Sequence, residues 1–271
     1  MTPLDTIAGD QIATFFLVLA RVGGLFMLAP VFASRSVPMR LRLGLAAATS
    51  MVAMPAVERR GIPLDPVAFG PQILEQVVIG SALAFGVAAV FAAVEMAGSL
   101  VDLSIGFSLA QVINPTLNTS STALAQVYSL VATMVFLATG AHEVLIAGVV
   151  KSFTAIPLDQ SPRIGAMTSL VEHQMAMVVP IALQIAAPVL GTLLLVDVGF
   201  AFLSRLVPSL NPFAAQFSVK ILAGLFAVSV SLPLTITIVG NRLAEARAPR
   251  LEIEIEEKPD QPAGIAGGQE A

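Results

Sequence analysis

The chain has 271 residues, 56% of them apolar, only 12% charged and none of them Cys. Soluble domains carry roughly 25% charged residues, so this is the composition of a polytopic membrane protein, and disulfides, thiolate metal sites and cysteine nucleophiles are excluded together. A net charge of −4 with no strongly cationic half excludes a nucleic-acid surface.

Charge is also placed unevenly. Residues 103–141 and 174–196 contain no Asp, Glu, Lys or Arg, whereas residues 242–271 contain eleven. The N-terminus lacks the basic region of a cleavable signal peptide, so the first apolar run is expected to be retained. Six apolar segments are candidates for spans, at about 12–33, 41–57, 72–94, 123–141, 174–206 and 213–240, because a ~30 Å hydrocarbon core takes ~20 helical residues. The fold class is therefore all-α, a polytopic membrane protein of about six apolar helical segments.

The first run carries Arg21 beside Gly23 and Gly24. A cation at that depth faces other helices unless it snorkels to a nearby surface. Residues 31–42, with Arg35, Arg40 and Arg42, form a short basic connection to a second run barely long enough to cross. Residues 58–71 read as an exposed loop from their prolines, glycines and charges.

The third run could stay helical to about residue 105. Gly80, Ala84, Ala88 and Ala92 recur every four residues, a spacing that lets another backbone approach. Glu95 and Asp102, seven apart, fall on roughly one helix face. After them come Gly106 to Pro115 and the polar, uncharged Thr116 to Thr122. A local repeat appears here: Gly106-Phe107, seven residues, then Pro115-Thr116-Leu117-Asn118 matches Gly199-Phe200, seven residues, then Pro208-Ser209-Leu210-Asn211. Each copy follows an acid and predicts an apolar helix stopped by Pro with Asn to turn the chain.

The fourth run is followed by Gly140-Ala141-His142-Glu143 and a mixed segment reaching His173. The fifth holds Pro180 and Pro188 and is expected to bend. Between the fifth and sixth, residues 196–220 place Asp197, Arg205 and Lys220 around a helix break at Pro208, Asn211 and Pro212. An unpaired charge at the centre of a membrane helix costs at least ~2.5–3.5 kcal/mol, so these groups need partners or water. Residues 242–271 read as a solvated acidic tail.

A topology conflict follows. The connection with Arg35, Arg40 and Arg42 and the tail with Arg242, Arg247 and Arg250 both belong on the cytoplasmic side, yet six full crossings put them on opposite sides. Either one run is re-entrant or the helices do not all cross lipid.

Catalysis has little to work with. Ser108, His142 and His173 would be needed for an intramembrane serine protease, and nothing in their spacing supports a nucleophile–base pair. No metal-ligand spacing or phosphate-binding glycine motif is present, so neither cofactor nor metal is expected. Glu95, Asp102 and Asp197 permit an ion-coupled transporter. They can equally pair with Arg21, Arg205 and Lys220 to lock an assembly, and three acids against three bases favour that.

Asp197, Gly199, Arg205, Pro208-Ser209-Leu210-Asn211-Pro212-Phe213 and Lys220, with Arg21-Val22-Gly23, Pro30, Val37-Pro38, Glu95-Met96-Ala97-Gly98, Asp102, Gly106-Phe107, His142, Ser152 and Pro157, together resemble the FliR/SctT family of type III secretion export gate subunits. Asn114-Pro115 stands where that family often has Asp-Pro, and Pro212 where a branched apolar residue is common. The resemblance implies a non-enzymatic subunit of a helical pore at the flagellar basal body in the bacterial inner membrane. Its kinked helical hairpins would assemble with FliP-type and FliQ-type subunits and a FlhB-type subunit, and its cargo would be unfolded flagellar proteins. It further implies a FliP-like part over 1–170, a FliQ-like hairpin over 171–241, a tail over 242–271, and a pore plug within 106–122. Gly106, Phe107, Leu109, Val112, Ile113, Asn114 and Pro115 would form that plug, and their apolar, uncharged character suits a seal that must dewet and still yield. An injectisome gate subunit is the nearest alternative.

Overall fold

The computed structural model describes residues 3–34, 37–57, 66–107, 122–160, 164–206 and 212–246. Among these the secondary structure is helical throughout. In order they are α1 (Pro3–Leu28), α2 (Pro30–Ala33), α3 (Met39–Ala53), α4 (Pro66–Ile105), α5 (Ala123–Ala138), α6 (Ala141–Ala155), α7 (Ile164–Leu206) and α8 (Pro212–Glu245), with a single 3-10 turn at Met54–Ala56 after α3.

The organising element is α4. It packs along α1 on one side and α7 on another, with α5 and part of α8 completing its surroundings. Its 40 residues make a rod of about 60 Å, twice the ~30 Å apolar core of a bilayer, so one helix of this length serves as a spine for several neighbours. In lipid, apolar burial offers little drive for helices to associate, and close van der Waals contact has to supply it. The α1–α4 crossing does this with glycines. A Cβ at Gly80 would run into the backbone carbonyl of Arg21, and one at Gly24 into that of Val77. The Ser81 hydroxyl donates to the Gly24 carbonyl at 3.4 Å in the same contact.

Only part of the predicted small-residue stripe takes part. Gly80 and Ala84 are buried, Ala88 is half-buried and Ala92 is exposed. Steps of four residues drift about 40° each around a helix of 3.6 residues per turn, so the stripe winds off the α1 face within three steps.

Several boundaries differ from the sequence reading for identifiable reasons. The first run is two helices, because Pro30 forces Ala29 into an extended conformation (φ −66°, ψ 118°), as the residue before a proline must be. Residues 66–71, read as loop, are the first turns of α4. Pro66 opens that helix, at a position whose N–H would lack an intrahelical partner anyway. The mixed segment after residue 141 begins with a full helix, α6. Gly140 in the left-handed conformation (φ 65°) separates it from α5, and the two axes meet at 65°. Glycine is needed there because L side chains avoid that region. α7 and α8 stay helical through Pro180, Pro188 and Pro233. Thr192 and Thr237 hydroxyls donate to the carbonyls of Pro188 and Pro233, both at 2.9 Å.

α1, α4, α7 and α8 are each long and apolar enough to cross a membrane, and α5 with α6 makes a fifth if the bent pair is one span. Each of the six apolar segments corresponds to a helix, but α3, at 15 residues and about 22 Å, is too short to cross. With the bent α5–α6 pair counted as one span, four crossings lie between the α3 end bearing Arg40 and Arg42 and Arg242, which puts all three on one side and ties the conflict to counting α3 as a span.

Candidate functional site at the α4–α5 junction

The charged positions singled out in the sequence divide into sealed and open ones. Arg21 is completely buried, as is Gln76 on α4. Arg21 Nε donates to Gln76 Oε1 at 2.8 Å, and Nη1 donates to the carbonyl and hydroxyl of Ser152 on α6 at 2.9 and 3.2 Å. The guanidinium also lies over the Phe153 ring, 4.4 Å from its centroid, a geometry the ring quadrupole favours. These partners are all neutral. The residue ties α1, α4 and α6 together from inside, which removes the snorkelling alternative.

Asp102 is also buried, at 1% exposure. Its backbone carbonyl accepts from Gly106 N at 3.0 Å and Phe107 N at 3.2 Å, closing α4 in a turn that places Gly106 at φ 103°. Glycine ends helices this way because a Cβ would be strained there. The carboxylate accepts from Leu124 N at 3.3 Å, within the first turn of α5. An acid there satisfies one of the free amides and complements the positive end of the helix dipole. Thr122 caps the same helix, its hydroxyl accepting from Ala125 N at 3.4 Å. One residue therefore terminates α4 and starts α5, so the end of one helix and the start of the next are pinned at a single point. Gly98 on α4 makes the pinning possible, since a Cβ there would sit 2.6 Å from the Cα of Ala125.

The hairpin of α7 and α8 seats against this junction. Ile105, the last residue of α4, fills the space a Cβ on Gly224 of α8 would take, and Leu193 of α7 borders the same space. One helical turn away on each hairpin arm are Asp197 and Lys220. Lys220 Nζ lies 2.9 Å from Asp197 Oδ1, and Gln216 Nε2 donates to the same oxygen at 2.8 Å. The pair is open, with the Lys side chain 19% and the Asp side chain 40% exposed. The α4–α5 junction and the hairpin charges, far apart in sequence, form one neighbourhood.

Two other singled-out charges are not covered by the described residues. Glu95 and Arg205 are exposed. Glu95 and Asp102 do share a helix face, but the start of α5 covers only Asp102. Arg205 occupies the last turn of α7, where a cation suits the negative helix end. Among the described plug positions, Gly106 and Phe107 form the turn. Leu109, Val112, Ile113, Asn114 and Pro115 lie outside the described residues, as do Pro208 and Asn211, and Pro212 is the first residue of α8. The two repeat copies diverge where both can be compared: Gly106 ends a helix, whereas Gly199 lies inside α7. Their preceding acids differ in the same sense, one capping a helix and the other pairing with a lysine. Gln76, Ser152, Gly98 and Gly224 were missed or left without a role in the sequence. A Gln on the buried side of an apolar helix was the available signal for the first.

Residues 12–246 match the sequence profile of a family described as bacterial export proteins, family 1. Similar proteins include the flagellar biosynthetic protein FliR of Bacillus subtilis, 29% identical over 86% of this chain and 91% of the relative. That of Escherichia coli is 28% identical over 81% and 84%. The Yop proteins translocation protein T of Yersinia pestis is 28% identical over 76% and 81%.

Proposed function

The chain belongs to the bacterial export proteins, family 1, and on that premise we propose that it is a subunit of the flagellar type III secretion export gate. It would form part of the pore through which unfolded flagellar proteins leave the cell, in the cytoplasmic membrane at the flagellar base. The observation that carries this is coverage: the similarity to flagellar biosynthetic proteins runs over four-fifths or more of this chain. Its role is structural, since the site consists of pinned backbone and paired charges rather than an activated nucleophile.

The partners are FliP-type and FliQ-type gate subunits with a FlhB-type subunit. Exposed Glu95 and Arg205 on long apolar helices support such packing, because an ion in lipid is costly and a neighbouring protein relieves it. The α1–α6 part would pack as a FliP-like unit, the α7–α8 hairpin as a FliQ-like one, and residues 108–121 would plug the pore. The Asp102 anchor supports the last point: a plug has to be held at its base and free at its tip.

Co-expression with the partner subunits tests the assembly. The chain is expected to purify with them and to behave poorly by itself, and a stable, substrate-binding monomer would instead mark a transporter. Shortening Gly106 to Asn118 is expected to make cells carrying the complete gate leaky to ions, and unchanged conductance would remove the plug. The Yersinia relative supports an injectisome gate as the second reading, and complementation of a non-motile strain against a secretion-deficient one separates the two.

A further inference from the structure

Where the described chain ends, at Ala246, there is a cleft of about 460 Å³ between α4, α7 and α8. Its floor is apolar, from Val90, Leu170, Met177 and Ile181, and its rim carries His173, Gln174, Arg242 and Glu245. Arg242 Nη1 binds Glu245 at 2.8 Å and Nη2 binds Gln184 at 3.4 Å, and a guanidinium has more donors than these two bonds use. The chain continues from inside this cleft into Leu251-Glu252-Ile253-Glu254-Ile255-Glu256. Alternation of that kind puts three branched apolar side chains on one side and three carboxylates on the other whenever the backbone is extended. Elsewhere in residues 247–271 the only branched apolar residue is Ile265, so the stripe stands out.

We propose that residues 251–256 dock in extended form into the cleft beside Ala246, with Leu251, Ile253 and Ile255 on its apolar floor and the glutamates turned towards the rim that bears Arg242 and His173. Four residues separate Ala246 from Leu251, so the five steps from one to the other reach about 17 Å when extended, enough to fold back over the cleft. The occupant is this chain's own tail, not another protein, because Ala246, the residue that leads into that tail, itself lines the cleft. The docking stands whether or not the chain works in an export gate.

The absence of native cysteine makes disulfide trapping direct. The full-length chain in its native membrane would carry Met177→Cys with one tail position at a time, Leu251→Cys through Glu256→Cys, and be oxidised briefly before linked peptides are identified by mass spectrometry. The control is Met175→Cys, which is 57% exposed and outside the cleft but equally within reach of the tail. The expected result is linkage within one chain that alternates along the tail, with 251, 253 and 255 several-fold above 252 and 254, and with the Met177 series several-fold above the Met175 series. Equal linkage to both anchors, or no alternation, would overturn the docking. Linkage only between two chains would also overturn it and would assign the cleft to a second copy.

Discussion

The Arg21 cluster and the Asp197–Lys220 pair solve the problem of an ion in an apolar protein in opposite ways. Arg21 has no exposed surface, and a neutral amide, a hydroxyl, a carbonyl and a ring face hold it. Asp197 and Lys220 neutralise each other but remain open on the hairpin. A cation bonded entirely by neutral groups is committed to its own fold, because any move leaves buried donors without acceptors. An exposed ion pair is worth little in itself and stays available to a neighbour. The Arg21 site is closed on itself, and the Asp197–Lys220 site is left open to a neighbour.

Breaking the closed side should have the largest effect. Arg21→Met keeps much of the side-chain volume but strands Gln76 Oε1, while Ser152 keeps its bonds to Val149 and Ile156. It is expected to lower stability by about 3 kcal/mol, from one buried acceptor left unmet at ~1–3 kcal/mol and the loss of the charge-assisted bonds to Ser152, and thermal unfolding in detergent would show it. Gly80→Ala should follow, at about 2 kcal/mol for an overpacked contact, since the added methyl meets the Arg21 carbonyl rather than a side chain that can turn away. Its effect on the unfolding midpoint should exceed that of Gly191→Ala, where nothing lies within 4 Å of the added atom.

Asp102→Ala lies between the two regions. Loss of the cap on α5 is expected to cost about 1 kcal/mol, with a larger effect on the tightness of the gate than on folding, measured as ion leak against unfolding midpoint. The smallest effect belongs to the open side. Asp197→Asn and Lys220→Met in the isolated chain should each change stability by less than ~1 kcal/mol, with a double-mutant coupling in the same range. In the assembled complex the same cycle should give a larger coupling. Equal values with and without partners would erase the contrast between the two regions.

Much of this was legible in the residues. Apolar runs marked every long helix, whereas the breaks at Pro30 and Gly140 were read through, although their effect is local and steric. The acid at residue 102 could be picked out from the rarity of charge around it. What it does could not, because capping α5 depends on an amide twenty-two positions later. Pairing arithmetic also misled. Three acids and three bases suggested three bridges, yet among the six positions only Asp197 and Lys220 meet, because helix packing had already surrounded Arg21 with neutral groups.

Sequence by itself therefore determined the class of the protein, the course of its long apolar helices, and which few side chains are too costly to leave in lipid. Tertiary structure alone decided which of those side chains are sealed, that α3 falls short of a crossing beside the four long helices, and that the α4–α5 junction and the hairpin charges share one neighbourhood. Periodicity and turn chemistry act over a few residues. The environment of a buried ion is set by whichever distant helices happen to pack around it.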